Sequence, residues 1–450
     1  MRCALAPLSR TLRLSQRAAR SRAIAMATAQ PRQTAAAASE GSAGGTDAST
    51  RPSFSVLLLG DTMLGRLVDE QLRALQLRGE GPERVWGDVL PLAQAADVRL
   101  LNLECAITDH PVRHQCCTAL RLESAAHALA AVQQVPWTST PKAFHFRGSP
   151  SRALPVLRAA GVHAVSLANN HVLDFNVPGL GETLHNLDSA GIARAGAGRS
   201  LAEAQAPALA TVRAGSPAAE VRVAMLAAAD HPTEWAARGD ASAAPADDAA
   251  AGINLFDPFP SDAALAWARD AAAAARAGGA HLVVLAVHYG GNWVSRPPAS
   301  VRAFAHALAE STDVDVLFGT SAHVAQGVEV HAGKLIIYQA GDVIDDYAVD
   351  ERWRNDLGAA FTARFELHDA EGAAATTHTK PTQDAAAPRQ RAKLCGLVIT
   401  PLLLPFAEVR IAPPGAAVTR AIATRLRKLS AELGTHMVFD EAKGVLRWPQ

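Results

Sequence analysis

The chain has 450 residues, 49% of them hydrophobic, with 43 basic and 43 acidic side chains. That length can bury one large core or two ordinary ones. A formal net charge of zero excludes bulk electrostatic attraction to nucleic acid or to an anionic membrane, and leaves a small-molecule or polymer substrate as the expectation.

Segment 1–50 differs in kind from the rest. Seven arginines precede Gln33, alanine and serine abound, and no acidic residue occurs before Glu40. This is a transit-peptide composition and predicts an organelle, chloroplast or mitochondrion. The alternatives are a disordered Ala-rich leader, or a second start at Met26 in "AMATAQ" that leaves the product in the cytoplasm.

From Phe54 onward, short β-branched or leucine-rich runs alternate with longer helical patterns, as in an α/β domain. The predicted strands are "FSVLLLGD", "DVRLLNLE", "HAVSLANN", "VRVAMLAAA", "HLVVLAVHYG", "VDVLFGTS" and "KLIIYQAGD". The predicted helices include "SRALPVLRAAG", "GLGETLHNLDSAG", "DAALAWARDAAAAARAGG" and "ASVRAFAHALAEST", several closed by a glycine suited to the left-handed C-cap. Residues 109–141, 236–251 and 368–392 have the composition of insertions or linkers and are expected to carry no chemistry. The expected organisation is a main domain over 51–367, a linker over 368–392, and a strand and helix over 393–450 packing on the main domain.

Five cysteines are scattered without a C-x-x-C pair and read as reduced thiols. The most apolar stretch, Leu394 to Val409, is short and split by Pro401 and Pro405, so no integral membrane association is expected.

The polar residues that close the strands carry the functional signal. Asp61 ends "LLLGD", Asn102 and Glu104 end "LLNLE", and Asn169, Asn170 and His171 end "SLANNH". His288 ends "LVVLAVH", His323 follows "VLFGTSA", and Asp342 ends "IIYQAGD". In open α/β sheets the ligand site lies at the carboxyl ends of the strands. Singly, each residue is equally a turn former, an N-cap or a hydrogen-bonded core group. Together they point to a site.

The ordered motifs "LLLGDTMLGR", "LNLECAIT", "SLANNHVLDF", "AVHYGGNW" and "GTSAHVAQGVEVHAGKLIIYQAGDVIDDYAVDERWRNDLG" resemble the capsule-synthesis CapA family, also described as poly-gamma-glutamate biosynthesis proteins, from about Phe54 to Leu367. That resemblance implies a relation to the calcineurin-like metallophosphoesterases. Their fold is a four-layer α-β-β-α sandwich, two sheets face to face with helices outside.

Carried over by position, Asp61 matches the aspartate of the family's G-D-x-M-x-G-R motif and Glu104 the acid of its N-L-E motif. Asn170 and His171 match the phosphoesterase G-N-H motif, His288 the H-W-G histidine with Tyr289 replacing tryptophan, and His323 the last histidine of G-H-x-x-H. Thr320 stands where many members have a further histidine, which puts a complete two-metal site in question.

The resemblance thus implies one or two divalent ions, Mn, Fe, Zn or Mg, held by Asp61, Glu104, Asn170, His288 and His323. His171 is the implied general acid, oriented by Asp174, while Asn169 holds the turn. Arg66 either steadies an anionic substrate oxygen or forms a surface ion pair. Trp293 either walls the pocket or packs in the core. The loop at Asp345, Asp346, Arg352 and Arg354 reads as a segment pinned by its own ion pairs.

Three functions follow: metal-dependent hydrolysis of a phosphoester or related bond, a role in making or cleaving a gamma-linked glutamate polymer, or a non-catalytic binding module.

Overall fold

A computed structural model describes residues 51–111, 144–215, 218–239, 250–369 and 390–449. Segment 1–50, most of the predicted insertions, and Cys3, Cys116 and Cys117 lie outside the described residues. The regular structure belongs to one unit made of 51–346 and 350–450.

In chain order it begins β1 (Ser53–Thr62), α1 (Arg66–Leu77), α2 (Val89–Ala95), β2 (Val98–Leu103), β3 (Ala106–Ile107), β4 (Arg147–Gly148), α3 (Pro150–Ala159) and β5 (Ala164–Ser166). Next come α4 (Asn176–Ser189), β6 (Ala193–Ala195), β7 (Ala197–Gly198), α5 (Leu201–Gln205), β8 (Ala208–Ala214), β9 (Ala219–Ala229) and β10 (Gly252–Ile253). Then follow α6 (Asp262–Ala277), β11 (Leu282–His288), α7 (Ala299–Ser311), β12 (Val316–Thr320), β13 (Val328–His331), β14 (Lys334–Ile337) and β15 (Asp342–Ile344). The chain closes with β16 (Leu357–Asp369), β17 (Gln390–Leu403), β18 (Arg410–Ile411), α8 (Ala417–Glu432), β19 (Val438–Asp440) and β20 (Val445–Trp448).

These strands build two main sheets. The larger runs β19-β20-β17-β16-β1-β2-β5-β6, with β15 added beside β1 and β18 beside β17; the smaller runs β13-β14-β12-β11-β9-β8. Strand β1 is a near-continuous apolar run because both its faces are covered, Val56 to Leu59 being at most 1% exposed.

The smaller sheet shows how period two aims the site. Val283, Leu285 and Val287 of β11 pack in a core with Ala264, Ala268 and Ala272 of α6 and with Val301, Phe304 and Ala305 of α7. Alternation therefore turns Leu282, Val284, Ala286 and His288 to the opposite face, toward the larger sheet. The alanine stripe of α6 lets that helix lie close, and the Ser261 hydroxyl caps it by accepting from Ala264 N at 3.3 Å.

The sheets meet where β5 and β6 pack on β8 and β9. Gly196 sits at that seam: a Cβ there would fall 2.6 Å from Ala168 and 2.8 Å from Ala227. Helix α4 packs on β6 of the larger sheet and on β3, and α3 packs against α1 and α4. The result is the α-β-β-α layering that was expected.

Two strand boundaries differ from the sequence reading. "KLIIYQAGD" is not one strand: β14 ends at Ile337 in the smaller sheet, and Asp342 opens β15 beside β1 in the larger. The break falls at Gly341, whose φ of +74° no strand adopts. Strand β17 starts at Gln390, inside the segment read as linker, and pairs with β16 from Asp369 to Leu357.

Candidate metal centre

The centre is assembled by the parallel pairing of β1 and β15, which sets Asp61 beside Asp342 in register. The chain passes so close that Asp61 N donates to Gly341 O at 2.9 Å. A Cβ on Gly60 would lie 1.8 Å from that same carbonyl oxygen, so only glycine fits. Gly60→Ala is expected to force β15 away from β1 and to cost about 1–3 kcal/mol of stability. Thermal unfolding checks this, and a wild-type melting temperature would contradict the packing argument.

From the turn after β12, His323 reaches Asp342 Oδ1 at 2.8 Å and Asp61 Oδ2 at 3.7 Å. Glu104, carried at the end of β2, is fully buried and its N donates to Thr62 O. Ligand atoms of Asp61, Glu104, His323 and Asp342 all lie within 4.8 Å of one another. The turn is held in unusual backbone conformations, φ +106° at Ser321 and +56° at His323. Positions of this kind cost on the order of 1–3 kcal/mol and persist where surrounding structure enforces them.

Three buried carboxylates thus converge with one imidazole to balance them. Burial pushes the Asp61 carboxyl up to about 7, with His323 opposing and Asp342 adding to the rise. Burial would lower His323, but Asp342, Glu104 and Asp61 together raise it well above its ordinary value. Asp342 Oδ2 is buried with no hydrogen-bond partner. An excess of buried negative charge with an unsatisfied oxygen fits a divalent cation, and an oxygen-rich set with one imidazole suits Mn, Fe, Zn or Mg.

The same groups set a pH dependence. Asp61 holds its proton more tightly folded than unfolded, and so does His323, so both contributions are present at low pH and fade as pH rises. For Asp61 the window runs from 3.8 to about 7. Metal-stripped protein is expected to melt lower at about pH 8 than at about pH 5, with added divalent ion restoring more at the higher pH. Calorimetry in the presence of chelator checks it; a flat or rising profile would contradict it.

A polar chain leads from this cluster to His171. Asn102 Nδ2 donates to Asp61 Oδ1 at 2.8 Å, Asn169 Nδ2 donates to Asn102 Oδ1 at 3.2 Å and to Leu103 O at 2.9 Å, and Asn169 Oδ1 accepts from His171 N at 3.0 Å. Asn169 therefore holds the turn. His171 Nδ1 lies 2.7 Å from Asp174 Oδ2, and the ring stacks on Phe146 with centroids 3.5 Å apart. Asp174 Oδ2 also accepts from Phe146 N at 2.6 Å. The guanidinium of Arg66, itself at φ +51°, lies 5.3 Å from the Phe146 ring and 3.2 Å from Asp346 Oδ1.

With this geometry in view, comparison with known proteins is decisive. The family described as "Bacterial capsule synthesis protein PGA_cap" matches residues 55–347. The chain belongs to the PGA_cap family. It is 33% identical over 334 residues to a "Probable polyglutamine synthesis accessory protein" of Mycobacterium tuberculosis, covering 65% of this chain and 74% of that one. It is 23% identical over 325 residues to the "PGA biosynthesis protein CapA" of Bacillus subtilis, covering 70% of each. A solved structure, the "calcineurin-like phosphoesterase YfkN" of Bacillus subtilis, aligns loosely with a TM-score of 0.37 at 11% identity, covering 86% of this chain and 100% of that one.

Every residue of the centre lies inside the PGA_cap match. Of the ligands inferred from sequence, Asp61, Glu104 and His323 come together. His288 borders them: its Nδ1 is 4.0 Å from Asp61 Oδ1 but faces the Thr320 hydroxyl at 3.0 Å. Thr320, directly opposite His288 on β12, thus positions an imidazole where the family resemblance implied another ligand. Asn170 is half-buried in the turn between Asn169 and His171.

Asp342, a strand-end residue outside the ligand set that the resemblance implies, joins Asp61, Glu104 and His323 as a ligand candidate. The pair Asp230 and His231, with the His231 ring 5.5 Å from that of His288, was missed altogether, although it closes β9 as the other polar residues close their strands. Arg66 does form an ion pair, but with the buried carboxylate of Asp346 rather than at the surface. Trp293 is 37% exposed and is not a core aromatic. Of the loop read as pinned by its own ion pairs, Arg354 pairs locally with Asp356 at 2.7 Å and Arg352 N donates to Asp350 at 2.9 Å, but Asp346 pairs with Arg66 on α1 instead. Among the described residues, Cys105 and Cys395 are both free thiols, and burial pushes Cys105 up to about 12. No helix of the described residues is long and apolar enough to cross a membrane.

Proposed function

We propose that this PGA_cap chain is a divalent-metal-dependent hydrolase acting on a phosphoester or related bond in an anionic substrate. The observation that carries the reading is the buried group of Asp61, Glu104, His323 and Asp342, tied by side-chain hydrogen bonds to an imidazole–carboxylate pair. The cation, when bound, supplies Lewis acidity toward a substrate oxygen and makes water more acidic.

The protein's own groups do the rest. Asp61, Glu104, Asp342 and His323 hold the cation, and His288, fixed by Thr320, stands beside Asp61. His171 delivers a proton to the leaving oxygen from Nε2, because Nδ1 is engaged with Asp174. Stacking on Phe146 keeps the ring from turning away. Arg66 supports negative charge on the substrate, its position set by Asp346 and Phe146.

A second reading is favoured by the relatives' names, an accessory role toward a gamma-linked glutamate polymer, whose amide bonds would use the same machinery. A panel of phosphomonoesters, phosphodiesters and a gamma-glutamyl oligomer with added Mn separates the two. Metal-dependent turnover of a phosphoester supports the first, and cleavage of the oligomer alone supports the second. No turnover by a metal-loaded protein would sink both and leave a binding module.

A further inference from the structure

A second histidine–carboxylate group lies apart from this centre, where α7 meets β13. His306 and Glu310 are four residues apart and share a face of α7; Glu329 and His331 are two apart and share a face of β13. Glu329 is the buried member, 5% exposed. Its Oε2 accepts from the hydroxyl of the fully buried Tyr338 at 2.7 Å, while Oε1 faces His306 Nε2 at 2.8 Å. His331 Nε2 lies 2.6 Å from Glu310 Oε1, and His331 Nδ1 lies 4.0 Å from Glu329 Oε1. The two imidazoles stack in parallel, centroids 3.9 Å apart with 1° between planes.

The geometry points to a second site for a borderline transition ion of the zinc type, ligated by His306 Nε2, Glu329 Oε1 and His331 Nδ1. Two of the three proposed ligands, His331 and Glu329, have an outer hydrogen-bond partner. Glu310 accepts the proton of His331 Nε2, which leaves the Nδ1 lone pair directed inward. Tyr338 fixes the Glu329 carboxylate in the same way. Such outer partners orient metal-binding histidines and carboxylates and are worth roughly 10–100-fold in affinity.

The donor atoms are close, but the lone pairs of two stacked rings lie in parallel planes and meet at one ion only when a ring turns out of the stack. Ligand atoms around a tetrahedral zinc stand about 3.4 Å apart, between the 2.8 Å of His306 to Glu329 and the 4.0 Å of His331 to Glu329. Both imidazole side chains are partly exposed, at 31% and 28%, so they can rotate out of the stack and the ion has a path from solvent. The cation takes the place of the proton that His306 Nε2 gives Glu329. Three protein ligands leave a fourth position to water, and the ion would clamp a helix to a strand edge.

The test is zinc binding by the full chain, read by equilibrium dialysis and by the zinc-induced rise in melting temperature. His306→Gln combined with His331→Gln is expected to bind one zinc fewer per chain than wild type. Glu310→Gln, which keeps all three ligands, is expected to retain the stoichiometry while weakening this site about 10–100-fold. An unchanged stoichiometry in the double variant would overturn the site. A double variant that keeps the wild-type zinc-induced rise in melting temperature would overturn it too.

Discussion

Replacing Asp61 with asparagine is expected to remove metal binding at the buried centre and to lower turnover on the order of a thousandfold, since a cation supplies several kcal/mol of transition-state charge stabilisation. Asp61 is the residue to change because it is the hub. It accepts from Asn102 and from Ser321 N, faces His323, and lies in register with Asp342. Asparagine keeps its shape and removes an ionisable group whose pKa is raised by burial and, secondarily, by Asp342. Asparagine can accept from only one of Asn102 Nδ2 and Ser321 N, which use different oxygens of Asp61, so the variant is expected to gain no stability in chelator and to gain less than wild type on addition of Mn. Loss of the metal-induced rise is the signature of a ligand removed from a binding site. An Asp61→Asn protein with the wild-type metal-induced shift would show that the cluster is an ordinary buried network.

The second large effect is expected at His171. His171→Ala should reduce turnover about 10²–10⁴-fold, the usual contribution of a positioned general acid, while metal content stays at the wild-type level. Because the proposed role is protonation of the leaving oxygen, the loss should be concentrated in substrates with poor leaving groups and shrink for activated aryl esters. Asp174→Asn should follow the same pattern more weakly, since Asp174 orients the ring and also anchors Phe146 N. Equal losses across leaving groups, or a parallel loss of metal, would contradict the assignment.

Much of this site was legible because it follows local rules. Period-two alternation in β11 is enough to turn His288 inward once Val283, Leu285 and Val287 are recognised as the helix-facing set. The three-residue spacing of His171 and Asp174 puts the imidazole and carboxylate in contact within a single turn. What stayed hidden depends on pairing distant in sequence. Asp342 becomes a partner of Asp61 only because the chain crosses from one sheet to the other at Gly341. No periodicity in "KLIIYQAGD" reveals that crossing. Asn102 looked like a further strand-end residue, and its part in linking Asp61 to Asn169 is set by the register of β1, β2 and β5. The ion pair of Arg66 with the buried Asp346 spans 280 positions and leaves no local trace. Linker composition likewise concealed the start of β17, whose strand character comes from thirteen paired positions against β16.

The proposed activity requires that the buried carboxylate cluster hold a divalent metal. The most direct test is elemental analysis of the purified full chain carrying His306→Gln and His331→Gln, so that only this centre is counted, beside the same chain with Asp61→Asn added. Near-stoichiometric divalent metal is expected after exhaustive dialysis in the first protein, and its loss in the second. A folded protein that comes through dialysis free of metal, and takes none up from added Mn, Zn, Fe or Mg, would contradict it.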